Sequence, residues 1–179
     1  GTADAVRQSL RHIQQHESEY VLILSGDQLY QMDFQAMIDQ HKNSGAEISI
    51  ATIPVGERDA SEFGIMKVNS EGYIPRFIEK PNADVLPDWA SEVSPLNKKR
   101  GRNYLASMGI YIFNRKAMAD LFDNYPDATD FGKEIIPTAI GARLGRSAKF
   151  TRVIGYHMLN RLLLGQTRPL TLPRQVLNP

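Results

Sequence analysis

Apolar positions along the chain fall into blocks of two different periods. Val6, Leu10 and Ile13 recur at i, i+4 and i+7, one face of a helix. Thr2 is placed to cap that helix, with Asp4 in its first turn, where negative charge suits the helix dipole. Residues 20–25, YVLILS, form a continuous apolar run of the kind that buried parallel strands show. From Asp33 the spacing turns helical again: Phe34, Met37, Ile38 and His41 share a face, and Gly45 is placed to stop it. EISIATIP, residues 47–54, is a strand rich in β-branched residues. The first third thus predicts α-β-α-β, a mostly parallel mixed sheet with helices packed on it.

The middle of the chain changes character. IMKVN and YIPRFIEKP read as two strands around the turn SEG. Residues 82–103 are polar, contain two prolines and the basic run NKKRGR, and are expected to form an exposed loop over a site. LASMGIYIFN, residues 105–114, predicts a strand in which Ser107 and Gly109 interrupt the apolar content, a sign of close approach by a ligand or another backbone. Residues 116–123 and 132–143 predict helices, the second capped by Asp130, and KFTRVIG, residues 149–155, a last strand.

Composition narrows the classes. A chain of 179 residues fits one domain with room for a core. The formal net charge of +1 gives no global field for nucleic acid or an anionic membrane. The absence of cysteine excludes disulfide scaffolds and thiolate zinc sites and fits a reducing compartment. No apolar run reaches the roughly 18–20 residues of a bilayer span, and the first residues lack the pattern of a secretion signal. A cytoplasmic location is therefore expected. One asymmetry stands out: Glu134 is the last acidic residue, and the 45 positions after it carry seven Lys or Arg.

Few residues offer chemistry. Asp27 follows Gly26 at the end of an apolar strand, where α/β sheets place their ligands. It suits a hard cation such as Mg2+, and equally a cap on the turn after it. Glu79-Lys80-Pro81 ends another strand: Lys80 is a point charge for a phosphate, or the group is a solvated strand end. In a regular strand Glu79 and Lys80 would face opposite sides, unless a bulge rotates one. Gly64 and Ser107 are small residues beside apolar strands, open to a ligand or to plain packing. Gly1-Thr2 offers helix N-terminal amides to an anion or a base, or an ordinary cap. His12 and His16 stand at i, i+4 on a polar face without a third ligand, which reads as solvated surface. GxSxG, GxGxxG and Walker A patterns are absent.

Taken together these pieces are more specific than any one. GTADAV, LILSGDQLYQMDF, SEFGIMKV, FIEKP, YLASMGIYIF and DFGKEIIP occur in this order over roughly residues 1–155. In that series the chain resembles the glucose-1-phosphate adenylyltransferase family, the ADP-glucose pyrophosphorylases of glycogen and starch synthesis. The resemblance implies a Rossmann-like nucleotidylyltransferase fold. It implies a reaction in which ATP and α-D-glucose 1-phosphate give ADP-glucose and pyrophosphate. Asp27 would hold Mg2+ and orient the sugar phosphate, and Lys80 would bind that phosphate. Glu79 would bind sugar hydroxyls, Gly64 and Ser107 would contact glucose, and Gly1 and Thr2 would lie near adenine.

The departures are also informative. Family members begin with a strand and a GGGxGTRLxPLT loop that cradles the triphosphate, and this would precede Gly1. They continue from Gly-Tyr into Trp-x-Asp-x-Gly-Thr, whose Asp is a second metal ligand, whereas Gly155-Tyr156 is followed here by HMLNRLL. A C-terminal β-helix, which carries the oligomer contacts, is also absent from this sequence. The expectation is a catalytic domain over residues 1–156, truncated at both ends, with an atypical tail over 157–179 from a shifted frame or junction. The parent would be a homotetramer, and this chain alone would be nearly inactive. Two rival expectations are a non-catalytic sugar-phosphate-binding or regulatory subunit and a uridylyl or thymidylyl transferase; the GTADAV segment argues against the latter.

Overall fold

A computed structural model describes residues 1–26, 32–143 and 151–155. Two short helices, α1 (Thr2–Gln8) and α2 (Leu10–Gln14), meet at Ser9 and carry one apolar stripe, Val6, Leu10 and Ile13, onto the main core. Gly1, not Thr2, is the cap of α1, because the Thr2 hydroxyl is engaged elsewhere. Next come strand β1 (Tyr20–Ile23) and helix α3 (Phe34–Ser44). Asp33 caps α3 by accepting from the Ala36 amide at 2.9 Å, and Gly45 ends it in the left-handed conformation, φ 67°. Strand β2 (Ile48–Val55) and the one-turn helix α4 (Glu57–Ala60) lead to the hairpin of β3 (Gly64–Lys67) and β4 (Arg76–Glu79).

The connection after β4 is not an exposed loop over a site. It contains a 3-10 turn, Leu86–Trp89, and helix α5 (Pro95–Lys99). Leu86 and Trp89 are buried against Val55, Ala60 and Ile65, forming a second small core, and the Arg76 guanidinium lies 4.5 Å over the Trp89 ring. Polar composition concealed two anchoring side chains that cover a large apolar area. The Lys and Arg residues of the basic run at its end are exposed, as expected, while Asn97 is buried. The chain then forms β5 (Tyr104–Asn114), α6 (Arg115–Asn124), a π-helical turn (Phe131–Ile135), α7 (Ile136–Arg143) and β6 (Thr151–Gly155). The expected tail over 157–179 and Asp27 both lie outside the described residues.

The sheet corrects the expectation of mostly parallel strands. Its order is β4-β3-β5-β2-β6, with β1 also paired to β5, and among the described residues only β2 with β6 is parallel. Continuous apolar runs report cover on both faces rather than strand direction. In β2, Ile48 and Ile50 join the core under α1, α6 and α7, while Ala51 faces α3 with Met37 and Ile112. A strand so covered is rich in apolar and β-branched residues whichever way its neighbours run. The YVLILS run is also less buried than expected: of β1 only Val21 is buried, and Leu24 just beyond it is exposed.

The long strand β5 sets the shape of the sheet around an opening. β2 takes one of its edges from Tyr104 to Phe113. The other edge is shared, β3 pairing at Leu105 and Ala106 and β1 at Tyr111 to Asn114. Residues 107–110 of β5 therefore border a gap between β1 and β3. The β2–β5 register also shifts there: Ile50 pairs with Tyr111 but Thr52 with Ser107, so β5 bulges. Gly109 sits in the bulge at φ 67°. A bulge re-aims side chains, and here it does so where the sheet is open.

Candidate functional site

A cleft of about 540 Å3 occupies that gap. Six separate stretches of chain converge on it. β1 runs out through Ser25 and Gly26 on one side, and the Gly64 end of β3 stands on the other with Glu62 and Phe63. The bulged part of β5 supplies Ser107, Met108 and Tyr111, and the start of the π-helical turn supplies Asp130, Phe131 and Gly132. Thr2 and Val6 of α1 close the far end. The walls are mixed, with aromatic and aliphatic surface beside carboxylates and hydroxyls, as ligand clefts are.

Glu79 is the best-defined polar group. It pairs with Gly64 at the end of β4, and its carboxylate stands between that glycine and Gly132. A β-carbon at Gly64 would lie 2.7 Å from Glu79 Oε2, and one at Gly132 2.6 Å from the same atom. Burial raises the Glu79 carboxyl above its ordinary value, the Asp130 charge adds to this, and Lys80 and Lys133 oppose it. Tyr111 is buried beside it and stacks on Phe131 with ring centroids 5.4 Å apart. Burial pushes the Tyr111 hydroxyl up; a hydrogen bond with Ser107 works against that, and the charges of Glu79 and Asp130 reinforce it. It therefore stays a neutral donor at physiological pH.

Asp130 is held as well as exposed to the cleft. One carboxylate oxygen accepts from the Lys133 amide at 3.0 Å, the expected helix cap, and the other accepts from the Thr2 hydroxyl at 3.2 Å. Thr2 in turn accepts from the Phe131 amide at 3.1 Å. The amides of Ala3 and Asp4 donate to the Thr129 carbonyl, so the start of α1 is docked on this turn. Glu134 fastens the turn from below, accepting from the Thr129 and Asp130 amides, bonds that lower its carboxyl pKa.

The sequence-derived candidates divide accordingly. Thr2, Gly64, Glu79 and Ser107 line one cleft. Gly1 lies behind it, its Cα against the Thr129 carbonyl so closely that a β-carbon would clash. Lys80 is outside the lining, but its backbone is left-handed, φ 47°, with its amide donating to the Phe63 carbonyl at 3.0 Å. That twist ends the strand alternation that would set Glu79 and Lys80 on opposite sides, and the Lys80 charge is felt at Glu79. Asp27 lies outside the described residues, next in sequence to Gly26 on the cleft wall. Sequence reasoning missed Tyr111, Asp130, Phe131 and Gly132 as site residues. Asp130 was legible only as a cap, and a glycine directly after an Asp-Phe cap was the one available signal.

The donor set bears on metal binding. Among the described residues no group of three or more His, Asp or Glu side chains is arranged to hold an ion. Glu62, Glu79 and Asp130 nonetheless give the cleft hard oxygen donors, the type Mg2+ accepts when substrate phosphates complete its shell. No helix among the described residues is long and apolar enough to cross a membrane. Carboxylates and hydroxyls around an aromatic floor can accept and donate hydrogen bonds to a hydroxylated ligand, and no histidine among the described residues lines the cleft as a base.

The family model for nucleotidyl transferases matches residues 1–152, which takes in every element that lines the cleft. The chain belongs to the nucleotidyl transferase family.

Proposed function

We propose that the cleft binds glucose 1-phosphate and ATP, and that the chain carries the catalytic unit of a glucose-1-phosphate adenylyltransferase over residues 1–156. The observation that supports this most is convergence. Thr2, Gly64, Glu79 and Ser107 come from four segments and meet in one cleft, and these are positions the resemblance implies for adenine and glucose. In this reading the sugar-phosphate oxygen attacks the α-phosphorus of ATP, the bond to the β-phosphate breaks, and pyrophosphate leaves. Such chemistry depends on positioning and charge neutralisation.

The chain's own residues divide that work. Glu79, held between two glycines, accepts hydrogen bonds from sugar hydroxyls, and Tyr111 offers a neutral hydroxyl beside it. Phe131 and Tyr111 form the flat apolar wall for the ring. Lys80, turned by its left-handed backbone, meets the sugar's phosphate. The carboxylates along the cleft repel a triphosphate, so a countercharge is required; Asp27 would hold Mg2+, which would supply it at the phosphate oxygens.

Calorimetric titration of the chain with glucose 1-phosphate and with ATP, each with and without Mg2+, tests the reading. Binding of both, with ATP dependent on Mg2+, supports it, and a parallel pyrophosphate-release assay separates an enzyme from a sugar-phosphate-binding subunit. Absence of glucose 1-phosphate binding would sink it. Competition by UTP or dTTP stronger than by ATP would reassign the nucleotide.

A further inference from the structure

Gly132 has no conformational reason to be glycine. Its φ is not positive, unlike those of Gly45, Gly72, Gly101 and Gly109. It lies inside the π-helical turn, where alanine is the better helix former. What distinguishes it is its neighbour. The three heavy atoms nearest to where its β-carbon would sit all belong to the Glu79 carboxyl group: Oε2 at 2.6 Å, Cδ at 3.0 Å and Oε1 at 3.5 Å. Gly64 forms the opposite wall, 2.7 Å from Oε2 by the same measure, although there the Phe77 ring also excludes a side chain. The Glu79 carboxylate thus occupies a slot between two bare stretches of main chain.

We propose that Gly132 is a positioning residue for the sugar subsite, there to leave room for the Glu79 carboxylate on the cleft wall. The inference rests on the reading of this cleft as a sugar-phosphate site. An alanine at 132 would meet the far end of a flexible side chain, so the fold yields by moving Glu79 rather than by unfolding. The carboxylate then leaves the slot and with it the neighbourhood of Asp130. Because that neighbourhood and burial hold its titration above the ordinary Glu value, the displacement has a signature that needs no ligand.

The test compares the full chain with Gly132→Ala, Glu79→Ala and the double variant. The readouts are urea denaturation, NMR titration of the Glu79 carboxyl and calorimetric binding of glucose 1-phosphate. Gly132→Ala is expected to fold, to bring Glu79 back toward its ordinary titration range, and to weaken binding at least about tenfold. The double variant should bind as Glu79→Ala does, since only one contact is lost. An unmoved Glu79 titration, binding within about twofold of wild type, or a loss that adds fully to that of Glu79→Ala would overturn the inference. Should Gly132→Ala fail to fold, the double variant with its emptied slot must fold; failure of both overturns it. If the wild-type chain binds no glucose 1-phosphate, the functional reading falls, while the Glu79 titration still decides the role of Gly132.

Discussion

Lys80 holds its backbone at φ 47°, where a residue with a β-carbon is strained by about 1–2 kcal/mol. A hydrogen bond from its amide to the Phe63 carbonyl holds that twist. Glycine would adopt the conformation without strain, at the cost of roughly 0.5–1 kcal/mol in a more flexible unfolded chain. Lys80→Gly should therefore be more stable than Lys80→Ala by up to about 1 kcal/mol, read from urea midpoints, while both lose sugar-phosphate binding. Equal stabilities would show that the left-handed turn carries no strain. Glu79 gives a second residue-scale expectation. Its carboxyl titrates above the ordinary 4.5, so the folded chain keeps a proton that the unfolded chain releases. Its contribution to stability is complete below pH 4.5 and is lost as pH rises through the native value. Glu79→Gln should remove that loss, so its stability-against-pH curve lies flatter than wild type in the window just above 4.5. An unchanged curve would place the carboxyl in ordinary solvent.

At the scale of elements, α3 is tied to the sheet through one buried histidine. His41 is 1% exposed and lies between the Ser49 hydroxyl, 2.7 Å from Nδ1, and Asn114 Oδ1, 2.9 Å from Nε2. Burial lowers its pKa below 6.5, with the bond to Asn114 opposing. The native state prefers the neutral ring, so this stability is full above 6.5 and is lost as pH falls through the lowered native value. Ser49→Ala should cost about 1–3 kcal/mol by leaving a buried ring nitrogen unpaired, measured by denaturant unfolding at about pH 7.5. A cost near zero would mean that the bond from β2 does not hold the helix. The β5 bulge is the other critical element. Gly109→Ala places a β-carbon at φ 67° and 3.6 Å from the Ser25 Cβ. Backbone strain of about 1–2 kcal/mol should appear in its unfolding free energy, with a smaller change in contacts. Full wild-type stability would contradict the assigned bulge.

For the whole molecule, the order of the longer helices and the strands was readable in the sequence because caps and stops are local, while the short helices α4 and α5 were not. Asp33, Gly45 and Asp130 act within a turn of their helices, and all three do what their type and spacing imply. Strand direction was not readable in the same way. The β-branched residues of β2 are covered on two faces and are silent on which way β5 passes beside it. The cleft was half legible. Glu79, Gly64 and Ser107 sit at strand ends and interruptions, which leave a mark in a sequence. Tyr111 and Phe131 looked like ordinary core aromatics, and nothing local distinguishes an aromatic that floors a cleft from one that fills a core. Thr2 looked like a helix cap, but long-range packing turned its hydroxyl to Asp130 and the Phe131 amide. The gap in the β5 edge is likewise a product of three strand pairings and belongs to no single segment.

The converging residues matter to function only if they form a sugar-phosphate site. Calorimetric titration of glucose 1-phosphate into the chain and into Glu79→Ala tests this most directly. The prediction is saturable binding by the wild type and affinity at least about tenfold weaker in the variant, from loss of a hydrogen-bonding carboxylate. Indistinguishable titrations, or no binding by either protein, would contradict it.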